Sequence, residues 1–199
     1  MSKAQVTKSH IIEQAATVFN QQGYAGTSMS DLMRVTGLKK GGIYNHFGSK
    51  DELAIAAFDY AVKKMHEHFR GAMKGKRHAV DRLMAVLSVY ERMGEQPPIV
   101  GGCPILNTAV ESDDTHPALR ERAKAAVDSW RLLFERIIEK GINRGELKEG
   151  TNADEVATVL ISTLEGAVML SRLYSDDEYV RRALVHLRQY ILSEVAAAS

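Results

Sequence analysis

Apolar side chains recur at three- and four-residue intervals along almost the whole chain, and nowhere do they alternate at two over a useful length. That period belongs to amphipathic helices packing one face against neighbours, and it leaves no room for a sheet. Ile11, Ile12, Ala15, Ala16 and Phe19 set the pattern and predict a helix over roughly 4–22, ended by Gly23. Only 4 prolines and 7% aromatics interrupt a composition rich in strong helix formers. With 199 residues, 45% of them apolar, the chain can bury a real core, which excludes disorder and a disulfide-stapled miniprotein.

Capping signals divide the rest. Ser28 with Asp31 is a capping box that opens a short helix stopping near Thr36-Gly37, and Lys39 to His46 forms a second short one. Ser49 with Glu52 starts a long helix whose apolar positions run from Leu53 to Phe69, ended by Gly71 and Gly75. Val80 to Met93 is amphipathic, and Pro97-Pro98 breaks it. Pro104 suits the first turn of a helix over Ile105 to Glu111, and a long one runs from about Pro117 to Gly141. Asn152 with Glu155 and Ser175 with Glu178 signal two final helices. The expectation is an all-α chain of about nine helices, a small unit in front and a larger bundle behind.

The net charge of +1 conceals an asymmetry. Residues 1–50 carry six basic side chains (Lys3, Lys8, Arg34, Lys39, Lys40, Lys50) against two acids, while the remainder is acidic. A basic front on an acidic body suggests that the N-terminal part alone meets a polyanion. Apolar runs such as Val159-Leu160-Ile161 fall far below a membrane span, the first eight residues lack a signal peptide's apolar segment, and one cysteine permits no internal disulfide. These features predict a soluble cytoplasmic protein with no membrane partner.

Thr27 to Leu53 carries the functional information. Two short helices meet across Thr36-Gly37-Leu38, with glycine where a tight inter-helix turn needs positive φ. That is a helix-turn-helix, and its second helix opens with Lys39-Lys40-Gly41-Gly42. A recognition helix inserts its N-terminal residues into the major groove; lysines bind phosphate or base edges there, and glycines allow close backbone approach. Tyr44, Asn45 and His46 add hydrogen-bonding groups, with local packing that fixes the helix as the alternative for Tyr44 and His46, while Ile43 and Phe47 pack inward. Ser28 and Lys50 stand at helix starts, where free N–H groups and the dipole favour phosphate.

Ala15, Phe19, Gly23-Tyr24, Thr27-Ser28, Asp31-Leu32, Gly37, Lys40-Gly41, Ile43-Tyr44, His46-Phe47, Ser49-Lys50 and Leu53 together resemble the N-terminal signature of tetracycline-repressor-like (TetR/AcrR) regulators, over about residues 5–55. The resemblance implies a homodimer with a DNA-binding domain over 1–48 and a ligand-sensing and dimerisation domain over 49–199. It implies groove-facing roles for Lys40, Gly42, Tyr44 and Asn45, with Ser30 beside them, and phosphate contacts for Ser28, His46 and Lys50. Lys39 and Gly41 complete the expected reading surface. The sequence departs from the family at Met33 and Thr36, which bears on packing between the short helices, and at Lys39, Gly42 and Asn45, which bears on the operator sequence.

The segment Gly101 to Glu111 is similar to a glycine-cysteine element in one branch of that family, and Leu164 to Leu170 fits the same branch. Asn107 and Glu111 stand one helical turn apart, as do Trp130 and Phe134. With Cys103, Glu165 and Met169 they form the candidate lining of an effector pocket; the same residues would also serve as ordinary core. Cys103 before a helix start could have a lowered pKa and sense oxidants or electrophiles, or be a small buried hydrophobe. The helix over Val156–Leu173 is apolar nearly all round, which points to burial on two sides. Val156, Leu160, Leu164, Ala167 and Val168, with Leu184, Leu187 and Ile191 of the last helix, are the expected dimer interface; in the family two such helices per subunit form a four-helix bundle.

Searches for catalytic chemistry return nothing specific. Gly71 to Arg77 lacks the glycine spacing and the hydroxyl of a phosphate loop, and His66 and His68 face different ways. No metal, cofactor or enzymatic activity is expected. The preferred reading is a one-component regulator, a repressor that binds a palindromic double-stranded DNA operator as a dimer and is released by a small-molecule or thiol-reactive effector. The alternative is a helical carrier or enzyme whose front helices only imitate a DNA reader.

Overall fold

The computed structural model describes residues 2–94 and 96–198; Met1, Glu95 and Ser199 lie outside it. Nine α-helices form among the described residues: α1 (Lys3–Gly26), α2 (Met29–Thr36), α3 (Lys40–Tyr44), α4 (Lys50–Ala72), α5 (Ala79–Glu91), α6 (Pro104–Ser112), α7 (Pro117–Asn143), α8 (Ala153–Tyr174) and α9 (Glu178–Tyr190). A π-helical turn over Ile191–Val195 follows α9, and Leu147 pairs with Ala196 in a lone antiparallel bridge; neither was expected from the sequence.

The local signals act largely as predicted. Ser28 and Asp31 close a full capping box at the start of α2. Gly37 adopts the left-handed conformation (φ 69°) that ends α2, returning its N–H to the Met33 carbonyl. Asn152 accepts from the N–H groups of Asp154 and Glu155 at the start of α8, and Pro104 occupies the first turn of α6. Glu52 donates its N–H to Ser49, but its carboxylate reaches back to the Gly48 N–H and not to Ser49. Ser175 is a correction: it terminates α8 in the left-handed region (φ 52°), and Asp176 accepts the Glu178 N–H at the start of α9. Gly71 likewise does not stop α4, which continues to Ala72.

The chain divides into two compact units. The first combines residues 1–65 with 98–126, so α6 and the opening turns of α7 belong with the three front helices. Its core joins Ile11, Ala15 and Ala16 of α1 to Leu32 of α2, Ile43 of α3, Phe47, and Leu53 and Ala57 of α4. The second combines 66–97 with 127–199. There Trp130 meets Phe69 edge-on at 5.4 Å, Phe69 stacks on Tyr90, and the Tyr90 hydroxyl donates to Glu165 at 3.2 Å.

By length and composition α8 could cross a membrane, although no single apolar run suggests it. Its Val156, Ala157, Leu160, Leu164, Ala167 and Val168 are buried.

Candidate nucleic-acid interface

Two side chains fix the orientation of α3. Ile43 and Phe47 are 1% and 2% exposed and lock the short helix into the core of the first unit. One face is thereby buried, and Lys39, Lys40, Gly41, Tyr44 and Asn45 are left on the solvent side. Tyr44 is 40% exposed, and the Lys40 ammonium lies 5.7 Å from the centre of its ring. Nothing approaches the position a Cβ would take at Gly41, so the backbone there is open to an incoming surface, whereas Gly42 faces the Leu38 side chain at 3.5 Å. His46 is half-buried.

The flanks are more occupied than their sequence positions suggest. Ser28 caps α2, but its hydroxyl is committed to Asp31, donating at 2.6 Å. That bond, with Arg34 beside it, holds the Asp31 carboxyl down at about 2. Ser30 is exposed on α2. Lys50 is half-buried; it donates to the Tyr24 carbonyl at 2.6 Å and lies 4.2 Å over the Tyr24 ring. The Tyr24 hydroxyl in turn donates to Asp51, and burial with that carboxylate pushes the phenol up to about 12. Lys50 thus holds the end of α1 against the start of α4, a role its place beside a capping signal did not reveal.

The residues expected to line an effector pocket fall in both units. Cys103, Asn107 and Glu111 belong to the first unit; Trp130, Phe134, Glu165 and Met169 belong to the second. Asn107 donates to the Asn20 carbonyl, the Asn20 side chain and the Gly101 carbonyl at 2.9–3.0 Å. Glu111 accepts the Tyr24 and Ala25 N–H groups, both at 2.8 Å. Both polar groups are spent tying α6 to α1, and the void beside them is about 30 Å³, the share of one water molecule. Cys103 occupies the N-cap position of α6 and is fully buried. Trp130 and Phe134 are core, while Met169 is half-exposed.

The eight expected interface residues are also redirected. Val156, Leu160, Leu164, Ala167, Val168, Leu184, Leu187 and Ile191 are all buried within the chain's own packing. A helix apolar on most of its circumference offers its strongest residues to its own core first. On the last two helices and just beyond them, the large apolar side chains that stay exposed are Met169, Leu173 and Tyr174 on α8, Val185 on α9 and Leu192 after it. Among the described residues no cluster of three or more metal-ligating side chains occurs.

Known proteins share this arrangement over its full length. Residues 11–57 match the profile for bacterial regulatory proteins of the tetR family, and residues 79–187 match the tetracyclin repressor-like C-terminal domain. A TetR transcriptional regulator from Chloroflexus aurantiacus J-10-FL, known from its crystal structure, is 49% identical with a TM-score of 0.96, covering 100% of both chains. A TetR-family regulator from Cytophaga hutchinsonii is 35% identical with a TM-score of 0.91, over 100% of this chain and 99% of its own. An HTH-type transcriptional regulator of Mycobacterium tuberculosis is 29% identical over 96% of this chain and 97% of its own. A helix-turn-helix seated as a reading head, followed by a second profile across most of the remaining chain, makes this protein a member of the TetR family of transcriptional regulators.

Proposed function

We propose that the protein is a one-component repressor that binds a palindromic operator as a homodimer and leaves it when a small-molecule effector binds. The observation that carries this reading is α3. Its apolar residues are consumed by the core, so Lys39, Lys40, Tyr44 and Asn45 are presented together, with open backbone at Gly41. Lysines supply the salt-dependent phosphate attraction, and Asn45 is the residue type that pairs with adenine in the major groove. Ser28, Ser30, Gly42, His46 and Lys50 flank that surface, the lysine through whichever of its N–H groups the Tyr24 carbonyl leaves over.

Two-fold pairing supports the palindrome. The exposed Met169 and Leu173 stand one turn apart on α8, and Val185 is exposed on α9. An isologous contact through these helices would repeat the reading head with two-fold symmetry, and half-sites in such readers lie ~34–36 Å apart. Release then requires an effector that binds the conformation unable to match this spacing better than the DNA-bound one. The cytoplasm is the compartment where such a regulator meets DNA.

The test is enrichment of sheared genomic DNA on the purified protein at near-physiological salt, followed by sequencing. One recovered palindromic motif upholds the reading. Sequence-blind binding that added cell extract fails to sharpen would overturn it and favour a helical carrier.

A further inference from the structure

The second unit contains a groove that nothing above uses. The last turns of α4 and the middle of α7 border an open groove of about 310 Å³, at the lower end of the ~300–1,000 Å³ usual for small-molecule sites. Its floor is apolar: Phe69 is buried, and Met73 and Leu132 lie beside it. Leu132 is 48% exposed, a large apolar side chain left half in water within a concave surface. An apolar body resting there would cover it.

The polar lining has one sign. Arg70 and Arg136 both face the groove, and no carboxylate lines it. Neither arginine joins any of the salt bridges of the described residues. Glu67, three residues from Arg70, lines a separate hollow with His68. His66 completes the wall, its Nε2 3.1 Å from the Ser129 hydroxyl. Burial and the Arg70 charge hold this imidazole below its ordinary value, so it adds hydrogen-bonding capacity without a third cation. Two guanidinium groups beside an apolar floor suit a molecule with a carboxylate at one end, which each can grip in a fork geometry.

We propose that this groove binds an amphipathic organic anion, a carboxylic acid with an alkyl or aryl body, as the effector; the effector role rests on the reading of the chain as a ligand-released repressor. Carboxylate and guanidinium pair at one end while the hydrocarbon displaces water from Phe69, Met73 and Leu132 at the other.

Trp130 is the chain's one tryptophan and touches the groove's Phe69 edge-on, so its emission reports occupancy. The full-length protein is titrated with octanoate and with 3-phenylpropanoate, and with octanol and octyltrimethylammonium as controls. A saturable change with at least one acid, absent with both controls, is expected. Arg70→Gln and Arg136→Gln should each weaken the binding about ten-fold or more, with Arg136→Lys intermediate. Equal binding of the controls, no response to either acid, or unchanged affinity in both glutamine variants overturns the proposal. Operator binding is measured separately on the enriched DNA. Specific DNA binding with no acid response removes the groove and leaves the repressor reading intact. Acid binding that leaves the protein on its operator upholds the groove as a site and overturns its role as effector site.

Discussion

The Glu111 carboxylate occupies the space that a side chain at Gly23 would need: both oxygens lie 2.7 Å from the position of a Cβ on that glycine. Gly23 itself has φ 75° and ψ 169°, a region essentially reserved for glycine, and there the helical hydrogen bonding of α1 breaks. The freed N–H groups of Tyr24 and Ala25 are the ones Glu111 accepts. Kink and carboxylate therefore form one device, which locks α6 to the end of α1 inside the DNA-reading unit.

Substitution at either partner should be costly, and the two costs should not add. Gly23→Ala introduces backbone strain of about 1–3 kcal/mol together with the clash against Glu111. Glu111→Ala leaves two backbone donors unanswered and should cost about 1–3 kcal/mol. The double variant relieves the clash, so its loss should fall below the sum. Urea unfolding of the three variants measures this; full additivity would contradict the coupling.

Lysines on α3 and α4 should behave differently. Lys40→Ala should flatten the dependence of log affinity on log salt by about 0.9 if it holds one phosphate, at unchanged stability. Asn45→Ala should change base preference at one position. Lys50→Ala should lower the melting temperature, because it removes the bond to the Tyr24 carbonyl and the contact with its ring. Salt titrations and thermal melts of the same variants separate the two roles.

Acidification should weaken the second unit through His66. Burial and Arg70 disfavour its protonation in the folded chain, so the unfolded chain takes up the proton first as pH falls below the ordinary value of 6.5. The contribution is complete above that value and disappears as pH drops through the lowered folded value. His66→Gln should remove this part of the slope in urea midpoints between about pH 8 and 5.5. Asp31 acts in a more acidic window: its cap persists above the usual 3.8 and is lost as pH falls through about 2.

The exposed and buried faces of α8 should part company on charge insertion. Leu173→Glu, at a position 71% exposed, should leave helix content intact and convert a dimer to monomer in sedimentation velocity. Leu164→Glu, at 1% exposed, should unfold the chain instead. A Leu173→Glu protein that stays dimeric would move the interface elsewhere.

Most of the helices were legible because their signals are local. Ser28 with Asp31, Gly37, Pro104 and Asn152 act on backbone groups within four residues, so identity and spacing suffice to place them. Ser175 misled because a start signal for one helix overlapped the stop of the previous one, and the left-handed residue decided between them. The reading helix was also legible, since Ile43 and Phe47 announce which face of α3 turns inward. Longer-range roles were not. Glu111 and Asn107 look like pocket residues until α1 is placed beside α6, where Glu111 takes two backbone N–H groups 86 and 87 residues away and Asn107 donates to the Asn20 carbonyl 87 residues away.

The sequence by itself determined the helical class and most of the caps, because each rests on periodicity or on spacing within a few turns, and the motifs of its front helices carried the resemblance to the family. The tertiary structure decided which apolar residues of α8 and α9 are spent in the core and which stay exposed. It also decided that Lys50 grips Tyr24, and that Arg70 and Arg136 share a groove no carboxylate lines. A side chain's type states what it can bind. Only the packing of distant segments determines which partner reaches it first.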